Sequence, residues 1–124
     1  MSGNRVLEDM RVWQESRTFV NAIYDMMLPC KDFGFKDQIQ RAAVSIMNNI
    51  AEGFESGSDA LFLRYLNIAK GSCSEVKSML YLCEDRKFCT QETRISLHAQ
   101  LTVLSGGVYN LIKYLENNKN NNQQ

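Results

Sequence analysis

The chain has 124 residues whose 14 basic and 14 acidic side chains cancel to zero net charge, so no overall field draws it onto nucleic acid or an anionic membrane. At this length one domain buries about two-thirds of its unfolded surface without metal or disulfide staples, and one proline, Pro29, in the whole chain favours long helices over many short strands. No run reaches the roughly 18 apolar residues of a membrane span, and the polar N-terminus has no apolar leader core, so the expectation is a cytoplasmic protein.

In chain order, residues 1–8 read as a loose lead-in, and Asp9 is expected to cap a first helix that stops at Pro29. Trp13, Ser16, Val20, Ile23 and Met27 follow the 3-4-3-4 spacing of a helix seam. Val12, Phe19 and Met26 repeat every seven residues beside it, so the two rows together cover roughly 160° against about 100° for a minimal stripe. Lys31 to Gly34 reads as a turn. The next helix has the cleanest pattern in the chain: Ile39, Ala42, Ala43, Ile46, Met47 and Ile50 share one arc, with Arg41, Ser45, Asn48 and Glu52 opposite. Gly53 stands where a C-terminal cap wants a residue free to take positive φ.

Ser58 is the expected N-cap of a third helix reaching about Lys87. Phe62, Leu66, Ala69, Cys73, Val76, Leu80 and Cys83 form its main seam, and Leu61, Tyr65, Ile68, Ser72 and Met79 a second one. Gly71 in its interior costs about 1 kcal/mol against alanine, which a close-approaching helix would offset. Thr90 caps a fourth helix striped by Leu97, Leu101, Leu104, Val108, Leu111 and Leu115, with Gly106-Gly107 as its weak point. From Asn117 the chain is a polar low-complexity run, expected to be a disordered tail over 117–124. These elements predict an all-α, antiparallel up-down-up-down four-helix bundle over residues 9–116. The extra apolar width of the first and third helices assigns Val12, Phe19, Leu61, Tyr65 and Ile68 to a contact between copies. The alternative is that every bundle helix touches two neighbours and needs a broad face anyway.

Catalytic signals are thin. Cysteines 30, 73, 83 and 89 form no C-x-x-C pair and read as reduced thiols, Cys73 and Cys83 on the apolar side of a helix. His98, the only histidine, lacks ligand-spaced partners on its helix. Glu84-Asp85 beside Arg86-Lys87 reads as a solvated charge run, and no glycine-rich phosphate loop is present. No catalytic residue, cofactor or metal is assigned. Arg41, Asn49, Glu52, Arg64 and Glu75 are taken as a polar network fixing helix register or the subunit contact, the alternative being a ligand site. Tyr65, Tyr81, Tyr109 and Tyr114 interleave with Lys70, Lys77 and Lys113 in a manner that suits single-stranded nucleic acid, but their scatter reads as amphipathic tyrosines at a bundle rim.

Val12-Trp13-Gln14, then Gln38-Ile39-Gln40-Arg41-Ala42-Ala43-Val44-Ser45-Ile46, then Asn49-Ile50-Ala51-Glu52-Gly53-Phe54 resemble the bacterial four-helix-bundle family of ribosomal-RNA intervening-sequence proteins. Ser58, Arg64-Tyr65-Leu66, Ile68-Ala69 and Gly71-Ser72 continue the pattern, so the resemblance covers roughly residues 7–115. It implies a homopentameric ring with no catalytic activity. Through the related accessory variability proteins of diversity-generating retroelements, it nominates RNA or DNA, or an enzyme such as a reverse transcriptase, as partner. Gln40 stands where many members carry arginine and Met47 where they carry proline, and the basic excess of the retroelement relatives is absent. The expectation is therefore a self-assembling, non-enzymatic scaffold or binding protein. The alternatives are a purely structural protein–protein ring, or a small metal or hydrolytic enzyme in the bundle core.

Overall fold

A computed structural model of the chain describes the backbone of residues 5–122 and the side chains of residues 5–118. Four helices follow one another: α1 (Arg11–Met27), α2 (Phe33–Glu55), α3 (Asp59–Asp85) and α4 (Gln91–Asn122). The described residues contain no strand. A single 3-10 turn, Leu7–Asp9, precedes them. Connections of a few residues leave each helix antiparallel to the next, and each packs on its sequence neighbours while α4 closes the circle on α1. At 1.5 Å per residue α4 is about 48 Å long and α1 about 26 Å, a larger spread than the sequence pattern implies.

Local chemistry sets the ends. The Asp32 carboxylate accepts the Phe35 N–H at 3.1 Å to start α2. Ser58 Oγ does the same for the Leu61 N–H at 3.3 Å, and Thr90 Oγ1 for the Thr93 N–H at 3.1 Å. The last two are the caps read from sequence, each satisfying one orphan donor of a first turn. Asp9 does not cap α1: it sits in the 3-10 turn, and α1 begins after Met10 without a side-chain cap. α3 ends in a Schellman motif, the Phe88 N–H bonding the Cys83 carbonyl at 2.7 Å and the Lys87 N–H the Glu84 carbonyl at 3.0 Å. Its left-handed residue is Lys87, with φ of 62°.

The glycines carry two corrections. Gly53 is not a cap; α2 runs past it to Glu55, and the positive φ falls at Gly57 instead. Gly53 is buried because α3 crosses it so closely that an added Cβ would stand 2.8 Å from Phe62 Cδ1 and 3.1 Å from Tyr65 Cβ. Gly71, expected to admit a neighbour, has nothing of its own subunit within 4 Å of that position. Gly107 faces Val12, whose Cγ2 would lie 3.4 Å from an added Cβ, so the α4 glycine pair is held by packing on α1.

The core is five of the six residues of the arc predicted for α2 (Ile39, Ala42, Ala43, Ile46, Ile50; Met47 is half-buried at its edge) met by Ile23 and Met27 of α1, Leu66, Val76 and Leu80 of α3, and Leu104 and Val108 of α4. Ser16, buried in the α1 seam, donates to the Trp13 carbonyl at 2.6 Å and so carries no unpaired hydroxyl into the core. Phe35 stacks at a tilt on Phe88 (5.3 Å between centroids) beside the α3/α4 turn, and Phe54 meets Phe62 edge-on at 6.3 Å beside the α2/α3 turn.

Val12 and Phe19, expected at a contact between copies, are both buried within the subunit. α1 needs its broad face because it touches both α2 and α4. Residues 1–4 of the expected lead-in and 123–124 of the expected tail lie outside the described residues. Helical backbone continues through the polar run to Asn122, past the boundary expected at 116.

Candidate functional site

Small and polar side chains face one another where α3 and α4 pair. Ser74 of α3 and Thr102, Ser105 and Gly106 of α4 cannot fill the seam above Cys73 and Leu101, and a groove of about 620 Å³ is left, within the size range of ligand clefts. Lys70, Lys77 and Tyr81 complete the α3 wall, and His98 and Tyr109 the α4 wall. None of these residues is acidic. Three other surface clefts each include a carboxylate: Glu8 in one, Asp25 and Glu92 in another, Glu15 in the third.

One end of the groove is closed by a hydrogen-bonded knot. Arg94, largely buried, pairs through Nε with Glu84 of α3. Its guanidinium lies over the Tyr81 ring, 5.0 Å from the centroid. Arg94 Nη1 stands 3.1 Å from His98 Nδ1, and His98 Nε2 stands 3.0 Å from the Lys77 carbonyl. A carbonyl only accepts, so Nε2 carries the hydrogen and Nδ1 accepts from Arg94. The Glu84 contact also raises the Arg94 pKa above its ordinary value. Arginine and imidazole are thus committed to each other, and neither is free for a ligand.

The other end is open. Tyr109, about half exposed, has Lys70 Nζ 5.9 Å and Lys113 Nζ 5.4 Å from its ring centroid, the arrangement of a cation–π pair. Lys113 is shared with Glu116 at 3.4 Å. Among the described residues neither Lys70 nor Lys77 has a carboxylate within ion-pair distance, so the groove is locally cationic in a neutral chain.

Sequence reading treated these tyrosines and lysines as scattered, but the helix pairing gathers Tyr81, Tyr109, Lys70, Lys77 and Lys113. The signal was the helical hairpin. Tyr81 and His98 lie about equally far from the turn before α4, as do Lys70 and Tyr109, so folding the pair back on itself makes them neighbours.

A second surface lies elsewhere on α3. Leu61, Ile68 and Leu82 are 42%, 45% and 48% exposed and recur at multiples of seven residues, with Arg64, Gly71, Glu75 and Ser78 between them at heptad spacing. At 100° per residue this stripe is roughly 120° around α3 from the groove. It contains Leu61 and Ile68 of the five expected contact residues. Tyr65 is half-buried against Gly53.

The expected polar network is not assembled. Arg41 pairs with Asp37 on its own helix at 2.8 Å, and Asn49 bonds the Ser45 carbonyl and hydroxyl. Among the described residues no hydrogen bond or ion pair joins Arg41, Asn49, Glu52, Arg64 and Glu75 to one another, and all but Asn49 are exposed. What does link α2 to α3 here is the Ser72 hydroxyl donating to Ser45 Oγ at 2.9 Å. The sequence pattern sets Ser45 opposite the apolar arc of α2 and Ser72 in the second seam of α3, and does not show that the two meet.

The cysteines are unpaired thiols. Burial pushes Cys73 up to about 11 and Cys83 up to about 12, which keeps both protonated and unreactive at neutral pH. Among the described residues no three His, Cys, Asp or Glu side chains are placed to hold a metal ion, and no helix is long and apolar enough to cross a membrane.

The fold and its surfaces define an all-α, antiparallel four-helix-bundle protein. Residues 8–119 match the family model of the 23S rRNA-intervening sequence protein, and the chain belongs to that family. It is similar to a protein of unknown function of the S23 ribosomal protein family from Bacteroides thetaiotaomicron, with 28% identity and a TM-score of 0.77. The match covers 82% of this chain and 95% of that one. No curated protein matches the chain.

Proposed function

We propose that this protein is a non-enzymatic, self-assembling scaffold or binding protein of the cytoplasm, a homopentamer whose partner is RNA or DNA or an enzyme acting on them, such as a reverse transcriptase. One observation carries it: the outer face of α3 repeats Leu61, Ile68 and Leu82 in the open around Gly71. A helix-interior glycine costs about 1 kcal/mol, and nothing in its own subunit exploits the space it leaves. A second helix laid along the stripe would cover the three apolar side chains and use that space. The number five comes from the family resemblance. The uncompensated Lys70 and Lys77 support a polyanion partner.

Light scattering on the purified chain tests assembly. Five times 14.2 kDa, about 71 kDa, is expected; a mass of 14.2 kDa refutes it. Leu61→Asp combined with Ile68→Asp should lower the mass and leave helical content intact. Val12→Asp should instead unfold the subunit, because an uncompensated buried charge costs about 3–5 kcal/mol. Filter binding of structured RNA and single-stranded DNA across a salt series tests the partner. Retention no better than that of a neutral control protein at low salt removes it, and leaves the purely structural ring, which the zero net charge favours.

A further inference from the structure

We infer that the α3/α4 groove is a single-strand site, taking an unpaired segment of RNA or DNA with one base stacked on Tyr109 and the flanking phosphates on Lys70 and Lys77. This rests on the reading of nucleic acid as partner, and adds which form of it is bound and where.

Four features argue for it. The first is shape. α3 and α4 are in direct contact, and packed helices stand about 8–10 Å apart, so the groove between them admits a single strand and excludes a double helix.

The second is the platform. Tyr109 is half exposed, and its ring is attended by the ammonium groups of Lys70 and Lys113. A base has a π face that can displace a lysine tip from the ring, and the released ammonium is then beside the phosphate that follows the base.

The third is charge. No carboxylate lines the groove, although 14 acidic residues are spread over the chain. Lys70 and Lys77 lie two helical turns, about 10.5 Å, apart on α3, so they form a short cationic row along the groove rather than a point. Ser74 between them, and Thr102 and Ser105 opposite, offer hydroxyls and no opposing charge.

The fourth is the closed end. Arg94 covers the Tyr81 ring, and both His98 nitrogens are engaged. Tyr81 is as exposed as Tyr109, but Arg94 lies over its ring and His98 packs 4.6 Å from it, so Tyr81 serves as a wall, and Tyr109, attended by lysine tips, is the platform. Discrimination by base identity is not expected, because stacking is tolerant of sequence.

The test uses the purified assembled protein and a fluorescein-labelled oligonucleotide of mixed sequence, single-stranded and then annealed to its complement. Anisotropy should show the single strand bound at least tenfold more tightly than the duplex. Tyr109→Ala should weaken single-strand binding about tenfold, and Tyr109→Phe should hold it near the parental value. Lys77→Gln should lower the slope of log K against log salt by about 0.7, the share of one phosphate on a single strand. Lys31→Gln, in the α1/α2 connection and outside the groove lining, should leave it unchanged. Duplex binding as tight as single-strand binding, or Tyr109→Ala at parental affinity, overturns the groove assignment while leaving nucleic acid as partner. No binding of either form at low salt overturns both.

Discussion

The contact at Gly53 gives a prediction whose sign differs from that of the same substitution elsewhere in the protein. Replacing glycine by alanine inside a helix gains about 1 kcal/mol from backbone propensity alone. At Gly53 the new methyl would meet Phe62 Cδ1 at 2.8 Å, Tyr65 Cβ at 3.1 Å and Phe62 Cα at 3.3 Å. The ring carbon can swing away, but doing so disturbs the edge-on pair with Phe54. The other two atoms are fixed to the α3 backbone, so relief requires α2 and α3 to separate along their whole contact. Overpacking of this kind costs about 1–3 kcal/mol. Set against the propensity gain, Gly53→Ala should be destabilising by about 1 kcal/mol. Gly106 of α4 is the matched control, since nothing lies within 4 Å of its Cβ position, and Gly106→Ala should be stabilising by about 1 kcal/mol. Urea unfolding followed by far-ultraviolet circular dichroism reads both, and the two midpoints should move in opposite directions. Midpoints shifting together and by similar amounts would refute the claim that α3 sits on Gly53.

At the end of α3, Lys87 holds a left-handed conformation that costs a residue bearing Cβ about 1–2 kcal/mol, against about 0.5–1 kcal/mol of chain entropy for glycine. Lys87→Gly should therefore raise stability by about 0.5 kcal/mol, and Lys87→Val should lower it below the parent, because a β-branched side chain is strained more than lysine at positive φ; both are read in the same urea assay. The buried thiols predict an alkaline limb. The unfolded chain releases thiol protons near its ordinary value of about 8.5, while the fold holds Cys73 to about 11 and Cys83 to about 12. Their contribution is whole below the unfolded value and is lost as pH rises through the window between. Stability should fall from pH 9 upward, and Cys83→Ala should make that fall shallower than in the parent; parallel pH curves would show that the thiol takes no part.

What the sequence made legible follows from what a single helix can report. The α2 arc is as predicted because Ile39, Ile46 and Ile50 keep a helical period with polar residues opposite, and the caps at Ser58 and Thr90 act within one turn of their own chain. Apart from the helix ends at Asp9 and beyond 116, the misreadings concern which neighbour a face meets. Val12 and Phe19 looked too broad for one subunit because period measures the width of a face and not how many helices share it. Gly53 looked like a cap because a stop signal and a close crossing place the same residue after an apolar run. Arg41, Arg64 and Glu75 were grouped by charge, yet α2 and α3 turn them outward. Tyr109 and Lys70 were separated by the whole length of a hairpin, and only its closure makes them adjacent.

α3 presents its outer stripe and its groove on different flanks of one stiff rod. In an assembly built along the stripe, every added copy contributes a further groove, held in fixed relation to the last without altering any contact inside it. Avidity then grows with valency: an oligonucleotide short enough to occupy one groove would report a modest affinity, whereas a strand long enough to bridge several would dissociate far more slowly from the same side chains.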